Sequence, residues 1–305
     1  MMDIKPQQFN PVMLGSAEGE AITRPPVGYW QDAWMRFRKN KLAMTGLIVL
    51  AVMTLFAVLG PLISAWDYRS YEFGHANEFP NARHWLGTDY LGRDMFTRLG
   101  QGTRISVYIA IMSALINLAI GVTYGGISGY FGGAVDDVMM RTVDILIGIP
   151  YLLIVIILLT VMEPGLTSII VAMTITGWAG MARLVRGQIL QLREMEYVLA
   201  ARLVGASPRR IIARHLIPNT MGVILVSLTA NIPGAIFTEA FLSFIGLGVR
   251  TPLASLGTLA NEGYQTLLVY PHNLVIPGVF ISFLIMAFNF VGDGLRDALD
   301  PRLRQ

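Results

Sequence analysis

Six apolar stretches divide this chain, at 42–63, 102–130, 143–162, 166–182, 218–247 and 274–292. At about 1.5 Å per helical residue, each is long enough for the ~30 Å hydrocarbon core of a bilayer, the fourth only marginally. A backbone in lipid must satisfy its own polar groups, so long apolar runs of this kind fold as spanning helices. Composition agrees: 54% of the 305 residues are hydrophobic and 14% charged, against about 25% charged in soluble domains. These values exclude an ordinary soluble enzyme, a disordered chain and a nucleic-acid-binding domain. The expectation is an all-α integral membrane protein with six transmembrane helices.

The few charges are placed asymmetrically. With both ends inside, the inner side holds 17 of the 23 Lys and Arg residues and the outer side six, as the positive-inside rule asks. Five spans would instead put the Arg-rich 183–217 segment outside. The net charge of +3 is therefore topological, with no nucleic acid as partner. The polar segment 1–41 has no early apolar run that would make a signal peptide. Its end, Arg36, Arg38, Lys39 and Lys41, leads into the first span from a cytoplasmic tail.

All three lysines (Lys5, Lys39, Lys41) precede the first span. A phosphate-binding loop of the G-x-x-x-x-G-K-[ST] type needs its lysine on the β/γ-phosphates, so this chain does not bind ATP in that way. There is no cysteine, which leaves no disulfide, Cys-ligated metal or thiol nucleophile. His75 and His84 lack the fixed spacing of a metal pair, and no metal site is expected.

The inner segment 191–219 has legible local chemistry. Residues 194–204 contain neither Pro nor Gly and favour a helix. Gly205 suits the position after its last turn. Ser207 and Pro208 suit the N-cap and first residue of a second helix, and Pro218 is read as restarting the chain as the fifth span. The alternatives are a helix lying on the membrane interface and a docking surface. Ala200, Ala201 and Gly205 are small enough for a partner to approach closely, with charge from Arg202, Arg209 and Arg210.

Further features carry two readings each. Gly87, Asp89, Gly92, Arg93 and Asp94 suit turn or gate structure better than a Ca²⁺ loop. Ser113, Asn117, Gly121, Gly125, Gly129 and Gly133 recur every four residues, a stripe read as a packing seam rather than a wall of a pathway. Glu239 is the one acid well inside a span, 21 residues after Pro218, or about 31 Å along a straight helix. It is read either as a gate or path residue that meets a substrate ammonium, with Asn231 in the same helix, or as a structural partner. Pro233 should kink that helix. Arg141 and Asp144 are read as an interfacial pair, and Asp293, Arg296, Asp297 and Asp300 as a cap that pins the tail. No nucleophile or cofactor loop accompanies these acids, so an enzyme is not expected.

The 199–218 run resembles the E-A-A signature of permease subunits of ATP-binding-cassette (ABC) importers: E-A-A, three residues, G, nine residues, then I-x-L-P. Ala200, Ala201, Gly205 and Pro218 fall in register; Leu199 stands in place of Glu, His215 of Ile and Ile217 of Leu. His84-Trp-Leu-Gly87-Thr88-Asp89-Tyr-Leu-Gly92-Arg93-Asp94, the run 238–248 and the run 292–301 resemble stretches of the peptide and nickel permeases, the oligopeptide C-type subunits above all. The resemblance runs from about residue 30 to the end. It implies a type I ABC importer permease fold, with a core at 102–297 after one extra span and a cytoplasmic tail at 298–305. It further implies a cytoplasmic coupling helix contacting an ATPase through Glu196, Leu199, Ala200, Ala201, Arg202, Gly205, Ala206, Ser207, Pro208 and Arg209. The implied partners are a second permease subunit, two ATPase subunits that hold ATP and Mg²⁺, an extracytoplasmic binding protein and a peptide, with a dipeptide or nickel as other cargo. The mechanism it implies is alternating access. A secondary transporter working alone is the rival of another class; scarce ionisable groups in the spans and no visible inverted repeat stand against it.

Overall fold

The computed structural model describes residues 28–163 and 165–299. Readings placed on 1–27 and 300–305, including Lys5, Asp300, Arg302 and Arg304, lie outside the described residues. Eleven α-helices are defined within them: α1 Tyr29–Lys39, α2 Lys41–Ile63, α3 Met95–Phe131, α4 Gly133–Gly148, α5 Tyr151–Val161, α6 Leu166–Leu192, α7 Glu196–Leu203, α8 Pro208–Ile211, α9 Ile217–Leu242, α10 Leu256–Gln265 and α11 His272–Leu299. The segment 64–94 and α10 lie at one end of the bundle, and α7 and α8 at the other.

Five helical runs are long and apolar enough to cross a membrane: α2, α3, α6, the 40-residue run Pro208–Leu247 and α11. The expected third span, 143–162, is not one straight helix. α4 and α5 meet at an 82° bend, and only counted together are they long and apolar enough for a sixth crossing, with the shape of a broken span or a re-entrant loop. Pro150 gives no N–H and holds Ile149 extended (φ −84°, ψ 129°), so the helix stops before it. The supposed 131–142 connection is also largely helical, as α4 begins at Gly133.

Pro218 does not restart the chain. The helix runs from α8 into α9 through a wide π turn at Ile212–Leu216. A proline ring crowds the carbonyl four residues back, and a π turn opens the spiral there. The Asn219 side-chain amide donates to the His215 carbonyl at 2.5 Å. α9 continues through Pro233 without a break and ends in a second π turn at Ser243–Leu247.

The glycine stripe is a packing seam. A Cβ on Gly121 would lie 2.6 Å from Met181 Cβ, one on Gly129 2.9 Å from the Arg186 carbonyl, and one on Gly125 against the Ala182 carbonyl. The bare face of α3 therefore lets α6 approach at backbone distance; Gly133 lies beyond it in open space. One apolar core joins α2, α3, α9, α10 and α11 around Met53, Leu99, Ile236, Leu256 and Leu284. A second joins α3, α5, α6 and α9 around Ile109, Val155, Ile169 and Leu242. A third ties α7 and α8 to the bundle through Val185, Ile189, Val198, Ile211 and Ile224. Asn40 breaks α1 from α2 and caps α2 by accepting from the Ala43 N–H at 3.2 Å. α1 then lays Ala33 and Phe37 against Ala298 and Leu299 at the end of α11.

Candidate functional site

The hairpin of α7 and α8 is built by local chemistry. Gly205 sits at φ +82°, a left-handed conformation that costs a residue with a Cβ about 1–2 kcal/mol. The Ala206 N–H donates to the Ala201 carbonyl at 3.0 Å and the Gly205 N–H to that of Arg202 at 3.0 Å. This pair of bonds is the Schellman ending of a helix. The Ser207 hydroxyl accepts from the Arg210 N–H at 3.4 Å, and Pro208 opens α8.

The hairpin anchors itself with Val198, Ala201 and Ile211 and turns other side chains outward. Leu203 and Val204 are 89% and 84% exposed, and Met195, Tyr197 and Leu199 are exposed beside them. Glu196, Ala200, Gly205, Ser207, Pro208 and Arg209 are exposed as well, with Ala206 half-buried. Ala201 does not: it is buried in the hairpin's own core, so its small size serves internal packing. Arg202 leans its guanidinium over the Tyr130 ring of α3 at 5.1 Å, a cation–π contact between hairpin and bundle. Arg209, Arg210 and Arg214 line a concavity with Ser207 and Ala213, and none of the three has an acid partner among the described residues.

Between α3, α5, α6 and α9 lies an open cavity of about 330 Å³. Its polar lining is Asn117, Tyr151, Thr176, Asn231 and Thr238, all neutral. Asn231 thus reaches the cavity, where its amide donates to Ser227 Oγ at 3.4 Å. Glu239 is not among the lining residues. It is fully buried, accepts from the Ser243 hydroxyl at 2.7 Å, and has the hydroxyls of Ser106 and Ser255 around it. Ser106 also accepts from the Leu256 N–H at 3.0 Å, and Ser255 caps α10. Glu239 is thus set apart from the cavity: these serines bring α3, α9 and α10 together around it and supply donors that a buried carboxyl needs, with Oε2 left without a partner among the described residues.

The segment 64–94 closes its end of the bundle with buried charge. Asp89 accepts from Arg93 Nε at 2.6 Å and from Arg98, and Glu262 of α10 accepts from Arg98 at 2.5 Å and from Arg93 at 3.2 Å. Both arginines are 1% exposed. Asp94 caps α3 through the Thr97 N–H at 2.9 Å and holds His84 Nδ1 at 2.9 Å. Gly92, at φ +74°, leaves no room for a Cβ against the Glu72 carbonyl. At the rim, His75 and Asn81 donate to the Glu78 carboxylate at 2.5 and 2.9 Å and hold it below the usual carboxylate range. Gly87, Asp89, Gly92, Arg93 and Asp94 thus belong to one structure, but Arg98 and Glu262 complete it. Arg98 lies nine residues from Asp89 in a charged stretch and was open to notice; Glu262, 164 residues from Arg98, carries no local signal.

The interfacial pair expected between Arg141 and Asp144 is absent among the described residues. Asp144 binds Arg183 of α6 instead, at 2.6 Å and half-exposed. A further pair, buried Asp136 with half-buried Arg186 at 2.5 Å, ties α4 to α6 nearby. Within the described part of the expected tail cap, Asp297 accepts from the amide of Asn40, the N-cap of α2, at 3.5 Å. The described residues hold no group of three or more His, Cys, Asp or Glu placed for a metal ion.

An apolar bundle around a polar-edged cavity, with an unfilled hairpin surface at one end, is the architecture of a membrane transport subunit. Residues 121–305 match the family described as binding-protein-dependent transport system inner membrane component. Residues 28–82 match that described as the N-terminal TM domain of oligopeptide transport permease C. The chain belongs to the former family, the permease subunits of ABC importers. It is 50% identical over 305 residues to the oligopeptide transport system permease protein OppC of Bacillus subtilis, covering 100% of both chains. It is 52% identical over 289 residues to the dipeptide transport system permease protein DppC of the same organism, covering 94% of this chain and 90% of that one. Its identity to the Escherichia coli K12 oligopeptide permease protein is 42% over 277 residues, covering 90% and 92%. Among solved structures, a chain of the MetNI methionine ABC transporter superposes with a TM-score of 0.55 at 21% identity, covering 68% of this chain and 98% of that one. The fold is accordingly all-α, integral to the membrane and of the type I ABC importer permease kind.

Proposed function

We propose that this permease subunit forms half of the pathway by which an ATP-driven importer brings peptides into the cell. End-to-end similarity to permeases named for oligopeptides and dipeptides carries the cargo reading. The cavity suits it: Asn117, Asn231, Thr176, Thr238 and Tyr151 offer donors and acceptors to peptide backbone and no charge that would select one side chain. A second, homologous permease completes the pathway. Two ATPase subunits, which hold the ATP and Mg²⁺, seat on the two permeases, one of them on this hairpin. This chain binds neither ATP nor Mg²⁺ and performs no covalent chemistry.

The distribution of basic residues supports a topology with the hairpin end and both termini in the cytoplasm. The 64–94 segment and α10 then face outward and receive peptide from a binding protein. Gly87, Asp89, Gly92, Arg93 and Asp94 hold this outer rim in shape. ATP-driven closure of the ATPases moves the hairpin, and Arg202 on Tyr130 passes that motion to α3. Uptake of a labelled dipeptide and a labelled pentapeptide by vesicles holding the complete importer tests the reading. ATP-dependent uptake of either is expected, and their ratio separates oligopeptide from dipeptide cargo. Uptake that persists without the ATPases, or no uptake of either peptide, would refute it.

A further inference from the structure

Pro61 stands in the last turns of α2 and has no N–H, so the Ala57 carbonyl four residues back loses its helical donor. Arg104 of α3 fills the gap. Its Nη2 donates to the Ala57 carbonyl at 3.2 Å and reaches that of Val58 at 3.4 Å. Gly100, one turn away on α3, lets Pro61 in; a Cβ there would lie 2.8 Å from Pro61 Cδ. This staple uses one terminal nitrogen of a guanidinium with five N–H groups. Arg104 is exposed on the outer wall of the bundle, among the exposed apolar side chains Leu55, Val58, Leu59 and Leu62. It has no acid partner among the described residues.

A charge on a lipid-facing wall must reach the interface or an anion. Arg104 lies nine residues inside the Met95 end of α3, about 13 Å along the axis. Helical side chains lean toward the N-terminus, which carries the guanidinium outward to the level of the Ala57 and Val58 carbonyls, the direction in which arginines snorkel. A groove of about 170 Å³ starts at this residue. Its walls continue toward the middle of the bilayer: Thr54 on α2, Val107 and Tyr108 on α3, and Leu284 on α11. Leu284 is 12 residues from the His272 end of α11, about 18 Å deep. Charge at the mouth and apolar wall beneath is the order of groups in a phospholipid.

We propose that this groove binds one phospholipid from the leaflet at the 64–94 end, its phosphate on the free N–H groups of Arg104 and an acyl chain along Val107, Tyr108 and Leu284. Guanidinium–phosphate pairs are strong charge-assisted bonds, and a free phosphate would leave the groove unfilled. The lipid fixes α2 against α3 beside the staple that Pro61 makes necessary.

The test uses the complete importer purified in mild detergent. A benzophenone amino acid in place of Tyr108 should form a photo-adduct of phospholipid mass on this chain. Adducts with polypeptide alone, or none, would overturn the site. Native mass spectrometry adds a second readout. Val107→Trp fills the groove and spares the staple, and should lower phospholipid retention about tenfold, or about 1.4 kcal/mol. Arg104→Gln should lower it as well. Unchanged retention in both variants would contradict the proposal.

Discussion

The two ends of this bundle treat polar and apolar groups in opposite ways. At the 64–94 end, Asp89, Arg93, Arg98 and Glu262 bury two positive and two negative charges against one another. At the hairpin end, Arg209, Arg210 and Arg214 line an open concavity without acids, and Leu203 and Val204 stand in the open. At the first end each charge has an opposite charge within the chain, although Arg93 Nη1 and Arg98 Nε stay without partners among the described residues. The second presents the materials of a core and of ion pairs with their partners missing. Desolvating a charge costs several kcal/mol unless it is paired, so a fold retains the first arrangement for its own rigidity. On the function proposed above, exposed leucine and valine beside unpaired arginine are the surface that an ATPase subunit would cover.

This contrast can be broken first where it is strongest. Glu262→Ala strands Arg93 and Arg98 with one carboxylate and should cost about 3–5 kcal/mol, read as a large fall in the melting temperature of the purified complex. A melting temperature within a degree or two of the parent would mean that the buried charges are not interdependent. Next comes the α3–α6 seam, which joins the two ends. Gly125→Val drives a side chain into the Ala182 carbonyl and should destabilise by about 1–3 kcal/mol. Gly187→Ala on α6, in open space and with an ordinary helical φ, serves as control and should cost little or nothing.

At the hairpin the expected effect moves from folding to assembly. Leu203→Asp should leave thermal stability of the isolated subunit within about 0.5 kcal/mol while weakening ATPase binding at least about tenfold, near 1.4 kcal/mol. Equal losses in both would make the exposed leucine part of the fold after all. The smallest effect belongs to Asp144. Its half-exposed pair with Arg183 is of the kind worth about 0–1 kcal/mol, so Asp144→Asn should barely move the melting curve.

How much of this was legible in the sequence follows from how far apart the partners lie. Gly205, Ser207 and Pro208 punctuate the hairpin within four residues, and the glycine stripe repeats on one helix face, so both could be read directly. Hydropathy counts apolar residues without their direction, so it located the 143–162 run and missed its 82° bend. Pro150 carried that signal. The continuity of α8 into α9 was hidden because Pro218 reads as a start and a π turn leaves no mark in composition. Glu262 lies beyond local reach: nothing within a helical turn of it announces Arg93 and Arg98, more than 160 residues upstream. Glu239 was visible as an acid inside a span, but the serines around it come from separate segments, and their meeting is legible in the fold alone.

Hairpin docking is tested most directly by thiol protection. The chain has no cysteine, so Val204→Cys introduces a single reactive thiol on the exposed edge. Labelling by a polar maleimide is compared in inside-out vesicles holding the two permeases and the binding protein, with and without the ATPase subunits. Rapid labelling without the ATPases and strong protection with them is the result this account predicts. Labelling at the same rate in both preparations would contradict it.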